Sequence, residues 1–531
     1  MIQPCIKVVS IFSSRRFYFF FAFISLIFWF FATLYGIRKS FAFGYDEGVY
    51  LQTALQHASG QSLYKTLFLS QPPLLIEILS LVIRVFGPNV ALTRSVNIFF
   101  GTITLVSIFL ISRELFDLKT ALLTLIFLGV NFHFIKWTKE LSADIPSLAF
   151  ALFAIYKGLM FNKKRKKIWI ILAAFAFGIA NSFKLLELFF IFPIIYLLVT
   201  APLKESLTSQ PFTNRKILNK MTSGSPGICD YSNLPLISGK IQCRRWSFGV
   251  KNVLLFAVAY FAIILIIFLN YDLGSLKAQV LGFGSSQLFE ISIRRAGRYF
   301  GNVYIESQVG LFFLTFAGLA TLYFNNKRVF TFLIIWIVSQ LLFHILMSPW
   351  LWPHHLIVLI PVFSMLSACS VKSSARQIFP KKRKDHTNRV YSFFPRLIIV
   401  ILLIAILFQN IFFNIRYMKK QIRRYYTEEE IFLLERIRQY TGEQDLIVSD
   451  VQIATFLTGR FTDPNLVDTS YKRIKTGNLQ DRYLIDNSKN VKIVIFWTLK
   501  LELLKEYYKF VNQNYKLIYK NQEKEIYLFD K

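Results

Sequence analysis

Acidic residues and charge in general are scarce in this sequence, and the scarcity narrows the class of protein. Of 531 residues only 30 are Asp or Glu, against 62 Lys or Arg, and charged residues of both signs make up 17%. A soluble domain carries about 25% charged residues. No P-loop and no G-x-G-x-x-G motif following a strand is found either, which argues against chemistry driven by ATP or NAD.

Long apolar runs take the place of the missing charge. The hydrophobic fraction is 54%, with 57 Phe. A stretch of about 18–20 apolar residues is needed to cross ~30 Å of hydrocarbon. Five near-continuous runs approach or exceed that length: Phe17–Ile37, Val90–Ser112, Gly249–Asn270, Val329–Met347 and Leu397–Phe413. So many runs exclude the alternative of a few buried helices in a soluble core, and predict a polytopic membrane protein.

The first apolar run resembles a secretory signal, because Arg15 and Arg16 precede it. It is longer than the usual apolar core of a signal peptide, and no small-x-small cleavage site follows it. We interpret it as a retained signal anchor with the N-terminus in the cytoplasm.

The basic residues predict the orientation. They cluster in the run KKRKK at 163–167 and in the segments 203–251 and 371–396, which carry eight Lys or Arg each. Clusters between apolar runs follow the positive-inside pattern, and they lack the stacking aromatics of a nucleic-acid surface. If 73–87 lies along the outer interface instead of spanning, the inner loops hold 28 Lys or Arg and the outer connections eleven. We therefore predict an interfacial helix at 73–87.

These assignments predict an all-α polytopic membrane domain at 1–416, with about eleven transmembrane helices, interfacial helices in the first outer loop and a flexible cytoplasmic loop at 203–248. The predicted spans are 17–37, 90–112, 120–135, 145–162, 168–183, 185–202, 250–270, 309–326, 329–347, 355–370 and 396–416. The expected location is the cytoplasmic (plasma) membrane.

The tail, 417–531, is predicted to be a small extracytoplasmic α/β domain. A helix is expected at 427–441 with Thr427 as its N-cap. Strands are expected at 445–449, 491–497 and 525–529, with a helical stretch at 499–513. The four cysteines (Cys5, Cys229, Cys243 and Cys369) all fall on the predicted cytoplasmic side, where thiols stay reduced, and they lack the spacing of a zinc site.

Three acids lie at the predicted outer surface and are candidate catalytic residues. Asp46 and Glu47 follow the first span in FGYDEGVY, and Asp144 stands at the outer end of the fourth span in KELSADIPS. A carboxylate there can act as general base for an acceptor hydroxyl or amine. The alternative is that Asp46 and Asp144 are helix caps. We favour function for Asp46 and Glu47, and leave both readings open for Asp144.

Cations on the same side are candidates for binding a phosphate. Lys184 lies in a tight outer hairpin, where snorkelling to the interface is the alternative. Arg295 and Arg298 lie in ISIRRAGRYFG, where contact with lipid head groups is favoured for any single arginine. His354 and His355 could bind a metal or a phosphate. Adjacent histidines on a helix point about 100° apart, so a role in an interfacial aromatic belt is favoured.

Together these residues predict an outer-face site for a substrate that is both phosphorylated and lipid-linked. A transporter or flippase of lipid-linked sugars is the main alternative. Transporters typically show inverted repeats or paired broken helices, and the sequence shows neither. No metal is strictly required by such a site, although a divalent cation is compatible with it.

The order of motifs resembles the GT-C glycosyltransferases, in particular the branch of protein O-mannosyltransferases and lipid A aminoarabinose transferases. The resemblance covers nearly the whole chain. The matching segments are YDEGVYLQTALQHASGQSLYK, QPPLLIEIL with Arg94 downstream, KELSADIPSLAFALFAIY, FGIANSFKLLELFFIFPIIYLL, WPHHLIVLIPVFSML and, in the tail, QDLIVSDVQIATFLTGR with VDTS.

The resemblance implies transfer of one sugar, with inversion, from a polyprenyl monophosphate to a lipid, glycan or protein acceptor. In this reading Asp46 is the base, Asp144 positions a substrate, and Lys184 contacts the donor phosphate. Further donor-phosphate contacts are implied for Arg94, Arg295 and Arg298, and substrate contacts for Tyr45, Tyr50, His354 and His355. Where the two transferase classes have His-Pro-Pro or an acid and a lysine before the proline, this chain has Ser70-Gln71, so the resemblance assigns neither acceptor class.

Overall fold

The computed structural model describes residues 15–38, 44–203, 236–283, 293–346, 352–378, 393–423, 428–488, 491–522 and 524–529. Up to residue 423 the described elements are helical, apart from one isolated bridge at Leu63 and Leu67. The longer helices are Arg15–Leu34, Tyr45–Ala58, Leu74–Phe86, Val90–Leu115, Leu118–Gly129, Phe132–Lys139, Asp144–Lys164, Ile168–Phe183, Ile191–Val199, Leu236–Phe268, Ile293–Phe300, Val309–Asn325, Lys327–Leu346, Ile360–Ile378 and Phe393–Arg423.

Each of the eleven predicted spans coincides with one of these helices or with a bent pair. Among the described residues, five helices are long and apolar enough to cross a bilayer, and up to seven segments qualify if each bent pair counts as one span. The pairs bend by 62° between Gly129 and Phe132 and by 95° between Glu306 and Val309. Three further predicted spans are shorter apolar helices, among them Ile168–Phe183. At 1.5 Å per residue its 16 residues reach about 24 Å, short of ~30 Å.

The segment predicted to be the first outer loop contains two helices that pack on each other. The first outer helix is Tyr45–Ala58, and the second, Leu74–Phe86, ends at Gly87, whose φ of +75° favours glycine. Thirteen residues make the second helix about 20 Å long, which suits the interfacial position predicted for 73–87. Its Glu77 accepts hydrogen bonds from Tyr271 at 2.7 Å and contacts His57 at 3.2 Å.

Two predicted features lie partly outside the described residues. Of the predicted flexible loop at 203–248, residues 204–235 are not described, and from Leu236 onwards the backbone is already helical as part of Leu236–Phe268. Thr427, the predicted N-cap, is also outside the described part, although the helix that it would cap is present as Glu428–Tyr440.

The tail forms a four-stranded sheet with helices around it. The strands are β1 (Leu446–Ser449), β2 (Val491–Phe496), β3 (Lys516–Asn521) and β4 (Lys524–Leu528), in the order β1-β2-β4-β3. β1 and β2 are parallel, and the other neighbours are antiparallel. The predicted strands are thus confirmed as β1, β2 and β4. β3 was not predicted, because KLIYKN is a polar, largely exposed edge strand without a clear apolar face.

Candidate active site

Asp144 and Lys184 form a buried ion pair where two helices meet. Asp144 begins the helix Asp144–Lys164, and Lys184 follows the end of the helix Ile168–Phe183. Lys184 Nζ donates to Asp144 Oδ1 at 2.8 Å, and the two side chains are 6% and 3% exposed. Ser147 Oγ donates to the carbonyls of Ala180 and Lys184 at 2.8 and 3.2 Å, which ties the two helix ends together. The structure therefore brings together the predicted substrate-positioning acid and the predicted phosphate-binding lysine.

His354 and His355 lie beside the same carboxylate. Asp144 Oδ2 has no hydrogen-bond partner in the described part of the chain and lies 4.0 Å from His354 Nε2. Both residues lie on the 3₁₀ turn Pro353–Leu359, where successive side chains point about 120° apart, yet their ring centroids are only 4.3 Å apart. The two rings therefore lie closer together than the expected divergence suggests. Ligand atoms of Asp144, His354 and His355 lie within 4.8 Å of one another, so this donor set fits a divalent cation.

Asp46 faces this ion pair from the first outer helix. Its carboxylate lies within electrostatic range of His354, Lys184, Asp468 and Asp144. The side chain is exposed to solvent, yet enough protein surrounds it that desolvation raises the pKa of Asp46 above its ordinary value. His354 and Lys184 oppose that rise, and Asp468 and Asp144 add to it. No hydrogen bond or ion pair engages the Asp46 carboxylate within the described ranges.

Glu47, the next residue, is in the opposite situation. Arg94 donates to both of its carboxylate oxygens, from Nε at 2.7 Å and from Nη2 at 2.9 Å. The side chains of Arg94 and Glu47 are 0% and 2% exposed, and Arg94 also donates to the carbonyl of Ile37 at 2.7 Å. This bidentate pair joins the first outer helix to the membrane helix Val90–Leu115 and gives Glu47 and Arg94 a structural role. Their predicted catalytic and phosphate-binding roles stay predictions.

The two predicted substrate-contact tyrosines differ in accessibility. Tyr50 is buried at 6% exposure, and burial together with the Asp46 charge raises its pKa. Tyr45 is half-buried and contacts the C-terminal domain, since its hydroxyl donates to Asp468 Oδ1 at 3.2 Å and lies 3.2 Å from Thr469 Oγ1.

Arg295 and Arg298 lie on the helix Ile293–Phe300. Arg298 is exposed, and the guanidinium of Arg295 lies 5.6 Å from the ring centroid of Tyr299. The helix packs beside the turn Pro353–Leu359, which leaves the two arginines at the edge of the site.

The structure adds residues that sequence reasoning missed. Glu187 is fully buried, its two carboxylate oxygens have no hydrogen-bond partner among the described residues, and Asp144 and Lys184 act on it electrostatically. Lys500 lies over the ring of Tyr45 at 3.7 Å. Glu187 was detectable as an intramembrane acid. Lys500 has no distinguishing mark among the many lysines of the tail.

The arrangement combines an accessible, unengaged carboxylate with a lysine ammonium held nearby. The carboxylate can accept a proton from a hydroxyl, and the ammonium can stabilise an anion that develops beside it. That combination suits the displacement of an anionic leaving group by a hydroxyl.

Comparison with known proteins agrees with this architecture. Residues 70–216 match the family model described as dolichyl-phosphate-mannose-protein mannosyltransferase. Among solved structures, ArnT from Cupriavidus metallidurans bound to undecaprenyl phosphate is similar with a TM-score of 0.57 and 12% identity, covering 96% of this chain and 97% of ArnT. The Archaeoglobus fulgidus oligosaccharyltransferase AglB, in complex with an inhibitory peptide and a dolichol-phosphate, gives a TM-score of 0.55 and 12% identity, covering 97% of this chain and 74% of AglB.

No curated protein matches the sequence itself, so the likeness rests on the fold and on the one matching segment. The likeness in fold and the matching segment agree with each other and with the resemblance seen in the motifs. The chain is a multi-pass membrane protein that shares the fold of ArnT and AglB, and its residues 70–216 match the protein mannosyltransferase model.

Proposed function

We propose that this protein is a membrane glycosyltransferase that moves a single sugar from a polyprenyl-phosphate donor to a lipid, glycan or protein acceptor at the outer face of the cytoplasmic membrane. The observation that carries the proposal is the contrast among the three predicted acids. Within the described residues Glu47 is tied to Arg94 and Asp144 to Lys184, whereas the carboxylate of Asp46 is exposed and unengaged.

In the proposed step the acceptor oxygen attacks the anomeric carbon of the donor sugar. Asp46 takes the proton of the acceptor hydroxyl as the new bond to carbon forms. The bond from that carbon to the phosphate oxygen breaks, and the electron pair leaves with the lipid phosphate. A single displacement of this kind inverts the configuration, and the sugar is a hexose or a pentose.

Lys184 is assigned to the leaving phosphate. Its ammonium has three donors, so it can keep its bond to Asp144 and still donate to a phosphate oxygen. The buried pair fixes the ammonium before substrate arrives, which is the preorganised form of charge stabilisation. ArnT is similar in fold and was solved with undecaprenyl phosphate, which supports a donor of the polyprenyl-phosphate class.

We assign no required metal to this step, because a lipid phosphate is already a good leaving group and Lys184 supplies positive charge. A divalent cation held by Asp144, His354 and His355 would add further positive charge beside the leaving phosphate. Transfer in chelator-washed membranes is expected to equal that in untreated membranes. A loss that added Mn²⁺ or Mg²⁺ restores would assign the cation a necessary role.

The test of the function is sugar transfer from a radiolabelled polyprenyl-phosphate sugar pool in membranes that contain the wild type, Asp46→Asn or Asp144→Asn. Asp46→Asn is expected to lower transfer by roughly 10²–10⁴-fold at unchanged protein level. Asp486→Asn is the matched control, since that aspartate is 63% exposed in the C-terminal domain.

Unchanged transfer in Asp46→Asn would rule out Asp46 as the base. Absence of transfer by the wild type across a panel of donors would favour a transporter of lipid-linked sugars instead.

A further inference from the structure

The C-terminal domain docks on the first outer helix through one helix face. Gln52 Nε2 donates to the carbonyl of Arg460 at 3.0 Å, and Gln56 Nε2 donates to that of Thr462 at 2.9 Å. Gly48 lies so close to the domain that an added Cβ would be 2.6 Å from the backbone nitrogen of Ile453. Tyr45, Gly48, Gln52 and Gln56 recur at intervals of three and four residues, so they share one face. Asp46 therefore borders the surface on which the domain is seated.

The part of the domain nearest Asp46 is the carboxyl end of its two parallel strands. β1 ends at Ser449 and β2 at Phe496. In open α/β sheets ligands bind in the crevice outside this end of the strands. Here the crevice faces the membrane domain, since Tyr45 contacts Asp468 and Thr469, and Thr469 Oγ1 donates to the Ser449 carbonyl at 3.3 Å.

Asp450 fixes the loop that follows β2. This buried carboxylate accepts hydrogen bonds from the backbone N–H groups of Trp497 at 2.8 Å, Thr498 at 3.1 Å and Lys500 at 3.2 Å. Three N–H donors on one carboxylate hold the backbone of the loop rigidly. The position of Lys500 is therefore set by the fold of the domain.

Lys500 is held beside Tyr45 without an acid of the described residues in contact with it. Its Nζ lies 3.7 Å from the centroid of the Tyr45 ring and 3.1 Å from Thr498 Oγ1. No carboxylate of the described residues lies within ion-pair distance of this ammonium, although Asp450, Asp46 and Asp468 act on it electrostatically. The ammonium of Lys500 is half-buried, has no ion-pair partner among the described residues and lies near the unengaged carboxylate of Asp46. It is therefore placed to donate to a bound group.

From this geometry we propose that the strand-end edge of the C-terminal domain forms the acceptor-binding wall of the site, with Lys500 donating to a hydroxyl of the acceptor. The inference rests on the proposed function and deepens it. Asp46 on the membrane domain takes the proton from the acceptor, and Lys500 on the C-terminal domain orients the acceptor. Lys184 remains on the donor side.

The charges beside Lys500 indicate the class of acceptor. Three carboxylates, Asp46, Asp450 and Asp468, act on one ammonium, so a further anion bound there would be repelled by them. The carboxylate of Asp46 and the hydroxyl of Tyr45 suit hydroxyl groups, which both donate and accept. The acceptor group bound at this wall is therefore an uncharged, hydroxyl-rich moiety such as a sugar.

Chemical rescue of Lys500→Cys in the full chain tests the role of the charge. Right-side-out vesicles are treated with 2-aminoethyl, methyl or 2-sulfonatoethyl methanethiosulfonate, and transfer from labelled polyprenyl-phosphate sugar is measured. Lys500→Cys is expected to lower transfer roughly tenfold to a hundredfold, the cost of a hydrogen bond to a charged group. The aminoethyl reagent restores a cation and is expected to restore transfer, whereas the neutral and anionic reagents are not.

Two controls accompany the series. The treated wild type reports on native cysteines, of which Cys369 is buried. Lys509→Cys, at an exposed lysine on the helix Lys505–Asn514 of the same domain, is expected to transfer normally under all three reagents. As acceptor probes, methyl α-glucoside is expected to compete with transfer in the wild type more strongly than glycerol 1-phosphate.

The outcomes separate this inference from the proposed function. Transfer that survives in Lys500→Cys, or equal rescue by the methyl and aminoethyl reagents, would overturn the role of Lys500 while Asp46→Asn still abolished transfer. Stronger competition by glycerol 1-phosphate would overturn the uncharged acceptor. Absence of transfer in the wild type would overturn the function itself, and the inference with it.

Discussion

Two neighbouring carboxylates of the first outer helix have opposite environments. Glu47 is buried against the membrane domain and bound by two nitrogens of the Arg94 guanidinium, whereas Asp46 is exposed and unengaged within the described chain. Successive helix residues point about 100° apart, so one turns toward the membrane helix Val90–Leu115 and the other toward Lys184 and the C-terminal domain. The comparison shows that the face of the helix on which an acid lies, more than whether it is Asp or Glu, separates a structural carboxylate from a candidate base.

Replacing the carboxylate by an amide should therefore affect different properties at the two positions. At Glu47 the change should lower the stability, and at Asp46 it should lower the transfer activity. Glu47→Gln removes the charge of the carboxylate that the fully buried Arg94 binds, and breaking a buried pair from one side costs about 3–5 kcal/mol. The expected result is a large drop in the midpoint of heat inactivation in detergent, whereas Asp46→Asn leaves that midpoint unchanged and removes transfer.

The double variant Glu47→Leu with Arg94→Leu is the control for that prediction. Replacing both charges removes the uncompensated ion, so the double variant should be more stable than either single variant. Additive losses would show that the two residues do not act as a pair.

The buried pair of Asp144 and Lys184 gives the next largest effect and sharpens the comparison, because here the pair itself belongs to the candidate site. Lys184→Met is expected to lower transfer roughly 10²–10³-fold, as for the loss of one donor to a developing anion. Asp144→Asn also breaks the pair but keeps the ammonium, so it should retain more of the affinity for the donor. The KM for the lipid-linked donor, measured for both variants, tells them apart. Equal kcat and equal KM values in the two variants would assign Lys184 a structural role only.

The acidic limb of the pH profile tests Asp46 directly. Desolvation by burial raises the pKa of Asp46, and the charges of His354 and Lys184 partly oppose that rise. A base must be deprotonated, so transfer should be full above the raised pKa and lost as the pH falls through it. That limb should lie above the value of about 3.9 for an ordinary aspartate.

Removing the positive charge in Lys184→Met should raise the Asp46 pKa further, which moves the residual limb to higher pH. The profile of kcat/KM against pH measures the position of the acidic limb in the wild type and in Lys184→Met. An acidic limb that stays in place in Lys184→Met would contradict the electrostatic link between the two residues.

Much of the membrane half was predictable, because its signals are local. Apolar runs and basic loops located the helices, and the scarcity of acids singled out Asp46 and Asp144. The number of spans was less predictable, since several apolar helices are too short or are bent within the span. β1 and β2 were visible as runs of Leu, Ile and Val, but the polar edge strand β3 was not.

Partners that are distant in the chain could not be predicted. The carboxylate that Arg94 contacts belongs to Glu47, 47 residues away in the chain, and no local pattern indicated this contact. The contact of Tyr45 with Asp468 spans 423 residues, and Lys500 reaches the same ring. Only the folded arrangement shows that the domain contacts the first outer helix beside Asp46, since no local pattern indicates which residue of the tail meets which residue of that helix.

The smallest predicted effect is at Gly48, where the C-terminal domain contacts the first outer helix. Alanine is the better helix former by up to about 1 kcal/mol, so Gly48→Ala would stabilise an isolated helix. Here the added Cβ meets the backbone of Ile453 at 2.6 Å, and a rigid backbone cannot yield as a side chain can. Overpacking of this kind costs about 1–3 kcal/mol, so the net result should be a modest loss of stability and a partial loss of transfer as Lys500 moves away from Asp46. Gly297→Ala is the matched control, a helical glycine with open space around it, and should be neutral or stabilising. If Gly48→Ala behaved like Gly297→Ala, the domain would not be seated tightly on the first outer helix, and the two-sided site would lose its structural basis.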